Sequence, residues 1–320
     1  MTKNLLAASL ALAFGASMVG NAHASALAQS VLQITNFQFL DATGTTALDA
    51  SQFSALGIQD TTNLNPSVNG AFNPYSNVAL DGAPLALTVQ CVPAACPAGL
   101  NPGTPFANAT TPPTVDGALG ASSLDGAPIT GLGPTLGANA RTAALSQLVN
   151  SGVANSSANL GLIASFSFQL ASAQAVTIDF NAMMHLAAFL DSNLTANAGV
   201  GWTIDISDQG GGNGGGNVFH WAPDGTVGTG ISGIAGFQEL LDPCNLQQSI
   251  GVFGPGSKTA NCSGSYSART GSLLADNQYS LTIAHQNRSD VLVVPEPSSL
   301  LLAGLALAGL GFGASRRKQA

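Results

Sequence analysis

Alternation of apolar and polar side chains with a period of two is the pattern that most constrains how this chain can fold. It runs through residues 200–206 and 278–294; its apolar positions include Val200, Trp202, Ile204, Ile206, Tyr279, Leu281 and Ile283. Further segments rich in β-branched and aromatic residues are 30–40, 160–170, 175–180, 218–221 and 265–270. These segments predict an all-β fold, an antiparallel β-sandwich in which a jelly-roll arrangement stays open.

The first of these strands carries a change of phase. Leu32 and Ile34 lie on one face of an extended chain, whereas Phe37 and Phe39 lie on the other. The slip falls near Asn36 and predicts a bulged strand.

One segment of the body favours a helix instead. Residues 141–149 contain good helix formers, place Ala144, Leu145 and Leu148 on one face, and are followed by Gly152 as a stop. We therefore expect one or two short helices beside the sheets.

Residues 93–134 are dominated by proline, glycine, alanine and threonine. They hold eight of the chain's sixteen prolines, which cannot donate to a sheet. A long loop or insertion is predicted there.

The N-terminus has the order of a secretory signal peptide. Lys3 precedes the apolar run 5–20, and Ala22-His23-Ala24 supplies the small-x-small pattern that signal peptidase recognises. Residues 1–24 are therefore predicted to be removed as a signal helix, which leaves Ser25 as the first residue. Cleavage after Ala26 or Ala28 stays open.

The C-terminus has the pattern of a membrane-spanning segment. Residues 298–315 carry no charge, and as a helix they would span about 27 Å, close to a hydrocarbon core of about 30 Å. The basic tail that follows places the C-terminus in the cytoplasm and the body, residues 25–294, outside. This tail consists of Arg316, Arg317 and Lys318.

Residues 295–320, with Val294 before them, resemble a PEP-CTERM sorting signal: Val294-Pro295-Glu296-Pro297, then the apolar run, then the basic tail. The resemblance implies processing at Pro295, Glu296 and Pro297 by exosortase, a membrane protease-transpeptidase of Gram-negative bacteria that make extracellular polysaccharide. It also implies an inner-membrane intermediate that ends at the cell surface or in the extracellular matrix. A permanent single-pass anchor is the alternative.

The charge of the body excludes one class of partner. Residues 25–294 contain fifteen acidic and four basic side chains, a net charge of −11 with neutral histidines. Such a body repels a polyanion, and no basic stripe offsets the repulsion. Nucleic acid is therefore not expected as a partner.

The four cysteines fit an exported chain. Cys91 and Cys96 lie close together in the sequence, as do Cys244 and Cys262, and proximity favours disulfides within each pair. A zinc site is the rival, but the spacing of tetrahedral zinc ligands is incomplete.

No catalytic motif is found in the sequence. His185, His220 and His285 are candidate general bases outside any motif, and no Gly-x-Ser-x-Gly sequence presents a nucleophile. The glycine-rich run 210–216 lacks the Lys-Ser/Thr of a phosphate loop and predicts a flexible hairpin tip.

The leading functional hypothesis is a non-enzymatic surface or matrix protein, delivered by signal peptidase and exosortase and associated with extracellular polysaccharide. The alternative is a carbohydrate-binding module in which exposed Trp202 or Trp221 stacks on sugars. Calcium is the candidate cofactor, with Asp205, Asp208 and Asp224 as oxygen ligands near the glycine run. A secreted hydrolase is a third hypothesis.

Overall fold

The body of the protein is a sandwich of two antiparallel sheets. The computed structural model describes residues 25–57, 59–80, 84–94, 96, 113–131, 135–149, 152–191 and 194–293. The predicted signal segment 1–24 and the predicted C-terminal membrane segment lie outside the described residues. The predicted all-β, antiparallel fold is confirmed for the body.

Within the described residues the smaller sheet has seven strands. Their order is β15 (Gln238–Leu241), β17 (Gly256–Arg269), β11 (Thr177–Leu190), β1 (Ala26–Leu40), β9 (Ala138–Leu148), β8 (Gly117–Asp125) and β7 (Leu85–Val92).

The larger sheet follows the order β14 (Ile231–Gly233), β13 (Gly216–Trp221), β12 (Thr195–Asp208), β18 (Tyr279–Val293), β10 (Gly152–Leu170), β3 (Gln59–Leu64) and β6 (Tyr75–Leu80). Four short strands lie beside this path: β16 (Ser249–Phe253) on β12, β2 (Phe53–Gly57) and β4 (Ser67–Val68) on β10, and β5 (Ala71–Phe72) on β4.

Two kinds of packing join the sheets. An aromatic cluster fills one part of the interior, and small polar residues fill another. In the polar part the Ser30 hydroxyl donates to the carbonyl of Arg288 at 3.0 Å, and the hydroxyls of Ser146 and Ser289 are 2.9 Å apart. Because short side chains reach across, the two sheets lie close together here, and their buried hydroxyls are satisfied.

The predicted helix over 141–149 is wrong. Residues 141–148 belong to β9, which lies between β1 and β8 and is buried on both faces over most of its length. A strand buried on both faces carries apolar or small residues at successive positions, and this pattern resembles one helical face. Tertiary pairing has therefore overridden the helix propensity of alanine and leucine.

The phase slip in the first strand is confirmed. The pairing of β1 with β11 shifts register between Thr35 and Gln38, and Asn36 adopts a positive φ of 55°. The shift moves Phe37 and Phe39 onto the buried side, where both rings are part of the main core.

The loop predicted for the proline-rich segment 93–134 does not extend over the whole segment. Gly117–Asp125 forms β8, which pairs with both β7 and β9. Its sequence, GALGASSLD, contains no proline and consists mainly of small residues, so that nothing prevents a ladder there.

Helical structure is nearly absent from the described part of the chain. The helical element there is a 3₁₀ turn, Ala50–Gln52. None of the described residues forms a helix that is long and apolar enough to cross a membrane.

Candidate functional site

Both ends of the body emerge from the same end of the sandwich. Ala26, the first residue of β1, pairs with Leu148 and Leu190, and Val293, the last residue of β18, pairs with Gly152. Short connections lead from Leu148 to Gly152 and from Leu190 to Thr195, the first residue of β12. We call this end of the sandwich the terminal end.

Ser25, the predicted first residue of the mature chain, is fixed at the terminal end. Its side chain and backbone are 4% exposed, and its N–H and hydroxyl both donate to the carboxylate of Asp191. The N–H of Asp191 donates in return to the carbonyl of Ser25 at 3.1 Å. No sequence pattern pointed to Asp191, since the contact depends on the pairing of β1 with β11.

Both predicted disulfides are present. Cys91 is bonded to Cys96 and Cys244 to Cys262, with Cα atoms 5.2 and 6.3 Å apart. No free cysteine remains to bind zinc among the described residues. The hydroxyl of Tyr266 donates to the carbonyl of Cys244 at 3.0 Å and ties the second bridge to the core.

The two tryptophans are not surface platforms. Trp202 is 1% exposed and Trp221 is fully buried. The ring of Phe180 lies 4.5 Å from that of Trp202 and 5.6 Å from that of Trp221, between centroids. The predicted stacking of exposed tryptophans on sugars is therefore wrong, because both indoles fill the aromatic part of the interior.

The indole nitrogen of Trp221 is a hydrogen-bond donor to the buried carboxylate of Glu239. Trp221 Nε1 donates to Glu239 Oε1 at 2.6 Å, and the N–H of Gly228 donates to Oε2. Burial raises the pKa of Glu239, and these two donors only partly offset it.

The three aspartates proposed for calcium do not form one site. Asp208 accepts N–H bonds from Gly211, Asn213 and Gly215 and from the Asn277 amide, at 2.6–3.2 Å. Burial opposes its ionisation, but the four donors outweigh burial and lower the pKa of Asp208. Its oxygens hold the glycine-rich tip of the β12–β13 hairpin, and the predicted hairpin itself is confirmed.

The other two aspartates are engaged elsewhere. Asp205 binds His220 Nδ1 at 2.7 Å and the Asn217 amide at 2.9 Å. Asp224 accepts from Thr229 Oγ1 at 2.7 Å within its own turn. Within the described residues no three His, Cys, Asp or Glu side chains converge as metal ligands.

The histidines have separate roles. His285 is buried, and its desolvation lowers its pKa to about 4, although Nε2 lies 3.2 Å from the carbonyl of Leu32. His185 contacts Asn261. His220 lies in a row with Asp205 and Ser232 on three neighbouring strands, but no hydrogen bond joins His220 to Ser232 within the described chain.

A polar groove on the outer face of the larger sheet was not predicted. Its volume is about 480 Å³, and its lining includes Ser157, Asn159, Gly199, Gln247 and Gln286. No sequence motif marks it, because its residues come from four strands that are far apart in the sequence and from the segment just before β16.

Comparison with known families decides what the C-terminus is. The PEP-CTERM protein-sorting motif matches residues 293–318. The chain carries a PEP-CTERM sorting signal. No curated protein and no solved structure is significantly similar to the chain.

The PEP-CTERM motif begins where the sandwich ends. Its first matched residue, Val293, is the last residue of β18, and its Pro295, Glu296 and Pro297 follow within four residues. Five residue steps separate Val293 from Ser298, the start of the apolar run, so that even a fully extended chain spans about 17 Å. The PEP-CTERM signal therefore keeps the terminal end close to the apolar run.

Proposed function

We propose that this is an exported protein that exosortase processes at the cell envelope, and that its sandwich acts without catalysis in association with extracellular polysaccharide. The PEP-CTERM match at 293–318 is the observation that carries the proposal. Such a motif implies an inner-membrane intermediate, exosortase as processing partner and a final position at the surface of a Gram-negative bacterium.

The position of the chain ends supports this route. A signal peptide before Ser25 and an apolar run after Ser298 would both be tethered to the terminal end of the sandwich. Both processing sites then lie on the same side of the membrane as the folded body. The two disulfides suit an oxidising compartment outside the cytoplasm.

Intact-mass spectrometry of the protein from wild-type cells and from cells lacking exosortase tests the route. We expect a wild-type chain that begins at Ser25 and lacks the apolar run and basic tail. Cells without exosortase should yield a chain that begins at Ser25 and extends to Ala320. If the wild-type chain also ends at Ala320, the segment is a permanent membrane anchor and the proposal is wrong.

Asp191 offers a test of what the charge created by cleavage after Ala24 would contribute to stability. Cleavage after Ala24 converts the N–H of Ser25 into an ammonium group beside the Asp191 carboxylate. Because Asp191 is exposed, we expect this ion pair to contribute about 1 kcal/mol. Asp191→Asn should therefore lower the free energy of unfolding by about that amount in urea titrations of the mature chain.

The matched control is a mature chain extended by Ala24. Its Ser25 nitrogen is an amide, so Asp191→Asn should cost less there than in the chain that begins at Ser25. An equal cost in both chains would show that the ammonium group does not contribute.

A further inference from the structure

The groove on the outer face of the larger sheet lies where β10, β18, β12 and β16 run side by side. Cross-strand partners place Ser157, Arg288, Gly199 and Ser249 in one row. The next row consists of Asn159, Gln286 and Gly201. Directly paired residues of antiparallel strands point to the same face, so both rows face outward.

Glycines shape the floor of this groove. A Cβ added at Gly201 would lie 3.2 Å from Gln247 Oε1, and one at Gly199 would lie 3.4 Å from the Cβ of Ser249. The absent side chains let residues 247–249 lie against β12, where the N–H of Val200 donates to the carbonyl of Gln248 at 2.9 Å. The Gln247 amide also donates to the carbonyl of Trp202. Residues 247–249 therefore form one wall of the groove, and hydrogen bonds to β12 hold this wall in place.

The lining is rich in uncommitted amides and hydroxyls. The side chains of Asn159, Gln286 and Ser157 make no hydrogen bond within the part of the chain that the structure describes. The charged residue beside them, Arg288, pairs with Asp290 at 2.5 Å. Neutral donors and acceptors of this kind match the hydroxyl groups of a sugar.

An exposed aromatic ring continues the same face. Phe253 is 78% exposed, and its ring atoms Cε2 and Cζ would lie 3.3 and 3.5 Å from a Cβ at Gly251. Gly251 pairs with Asn197, whose amide would lie against the same Cβ. The ring therefore rests on the outer face beside an amide, and its apolar surface is open to the C–H face of a sugar ring.

The net charge of the body favours a neutral polysaccharide over an acidic one as the ligand. The body carries a net charge of −11, and in the groove the guanidinium of Arg288 is already paired with a carboxylate. A polyanion such as a uronic acid polymer is repelled by such a body. A neutral polysaccharide is not.

We propose that this groove, together with the outer face that continues from it to Phe253, binds a neutral polysaccharide, with the ring of Phe253 beneath one sugar and the amides of Asn159 and Gln286 bonded to hydroxyls of other sugars of the same polymer. The proposal rests on the proposed association with extracellular polysaccharide and names the surface responsible. In this proposal the groove residues and Phe253, and not the two buried tryptophans, contact the sugar.

Affinity gel electrophoresis of the mature protein tests the site. The probes are hydroxyethyl cellulose, laminarin, galactomannan, alginate as the acidic polymer, and the soluble exopolysaccharide of the producing bacterium. We expect retardation by at least one neutral polymer and none by alginate. Phe253→Ala and Gln286→Ala should each weaken that retardation about tenfold or more, without a change in melting temperature, since both side chains are exposed.

Phe72→Ala is the matched control. Phe72 is 73% exposed and lies five strand spacings from Phe253, roughly 24 Å away. This variant should be retarded like the wild type.

The outcomes separate the site from the function. Retardation that is equal in wild type, Phe253→Ala and Gln286→Ala overturns the groove but leaves polysaccharide association standing. Retardation by alginate alone overturns the neutral class. No retardation by any polymer, the native exopolysaccharide included, overturns both the groove and the association.

Discussion

Asp60→Asn is expected to raise the free energy of unfolding by about 4 kcal/mol at pH 8 and to change it little at pH 4. Asp60 is 2% exposed, and its Oδ1 has no hydrogen-bond partner among the described residues. Burial raises its pKa from 3.8 to about 7. Each pKa unit corresponds to about 1.4 kcal/mol, which sets the expected size.

The direction of this pH dependence follows from the number of protons that the folded and unfolded chains bind. Between about pH 4 and pH 7 the folded protein holds a proton on Asp60 that the unfolded chain has lost. Stability therefore falls as the pH rises through this window, and the loss is complete above pH 7. Asparagine is neutral at every pH and has no such loss.

His285 makes the opposite contribution. Its pKa is lowered from 6.5 to about 4, so the unfolded chain binds a proton between these values that the folded protein does not. Its contribution to stability is therefore lost as the pH falls from about 6.5 to 4. In the wild type these two contributions change the free energy of unfolding in opposite directions as the pH rises. In Asp60→Asn only the contribution of His285 remains.

Urea unfolding at unit steps from pH 4 to pH 8 measures both effects. Asp125→Asn, on the exposed end of β8, is the control and should follow the wild-type profile. If Asp60→Asn also follows it, Asp60 is not a buried carboxyl in solution.

The strands could be predicted from the sequence wherever one of their faces is exposed. In β12 and β18 buried positions alternate with exposed or half-buried ones, so the period of two is visible, although β18 also buries the polar His285, Asn287 and Ser289. In β9 it is not visible, because Ala143, Ala144 and Leu145 are all buried although they occupy both faces. A strand covered on both sides carries no alternation, and local propensity then points to a helix.

The sorting signal and disulfides could be predicted because they are local in the sequence. The groove could not, since its rows are assembled by pairing between residues about 50 to 130 positions apart, such as Asn159 with Gln286. For Trp202 the sequence does carry a signal of burial. It alternates in phase with Val200 and Ile204, which places it on the buried face of β12.

Trp202→Ala is expected to lower the free energy of unfolding by about 3 to 5 kcal/mol. The indole is 1% exposed, and its centroid lies 4.5 Å from Phe180 and 5.6 Å from Trp221. Alanine leaves a cavity that the two packed sheets cannot close, since both are fixed by continuous ladders. Urea unfolding followed by far-UV circular dichroism gives the difference.

Phe253→Ala is the matched aromatic control, because the same kind of ring is removed from the surface. Its cost should stay within about 0.5 kcal/mol. Under conditions where Trp202→Ala is still folded, the two variants should show opposite behaviour: Trp202→Ala loses stability and keeps the affinity for polysaccharide, and Phe253→Ala keeps stability and loses affinity. A Trp202→Ala variant as stable as the wild type would place the indole at the surface and return it to the set of sugar-contacting candidates.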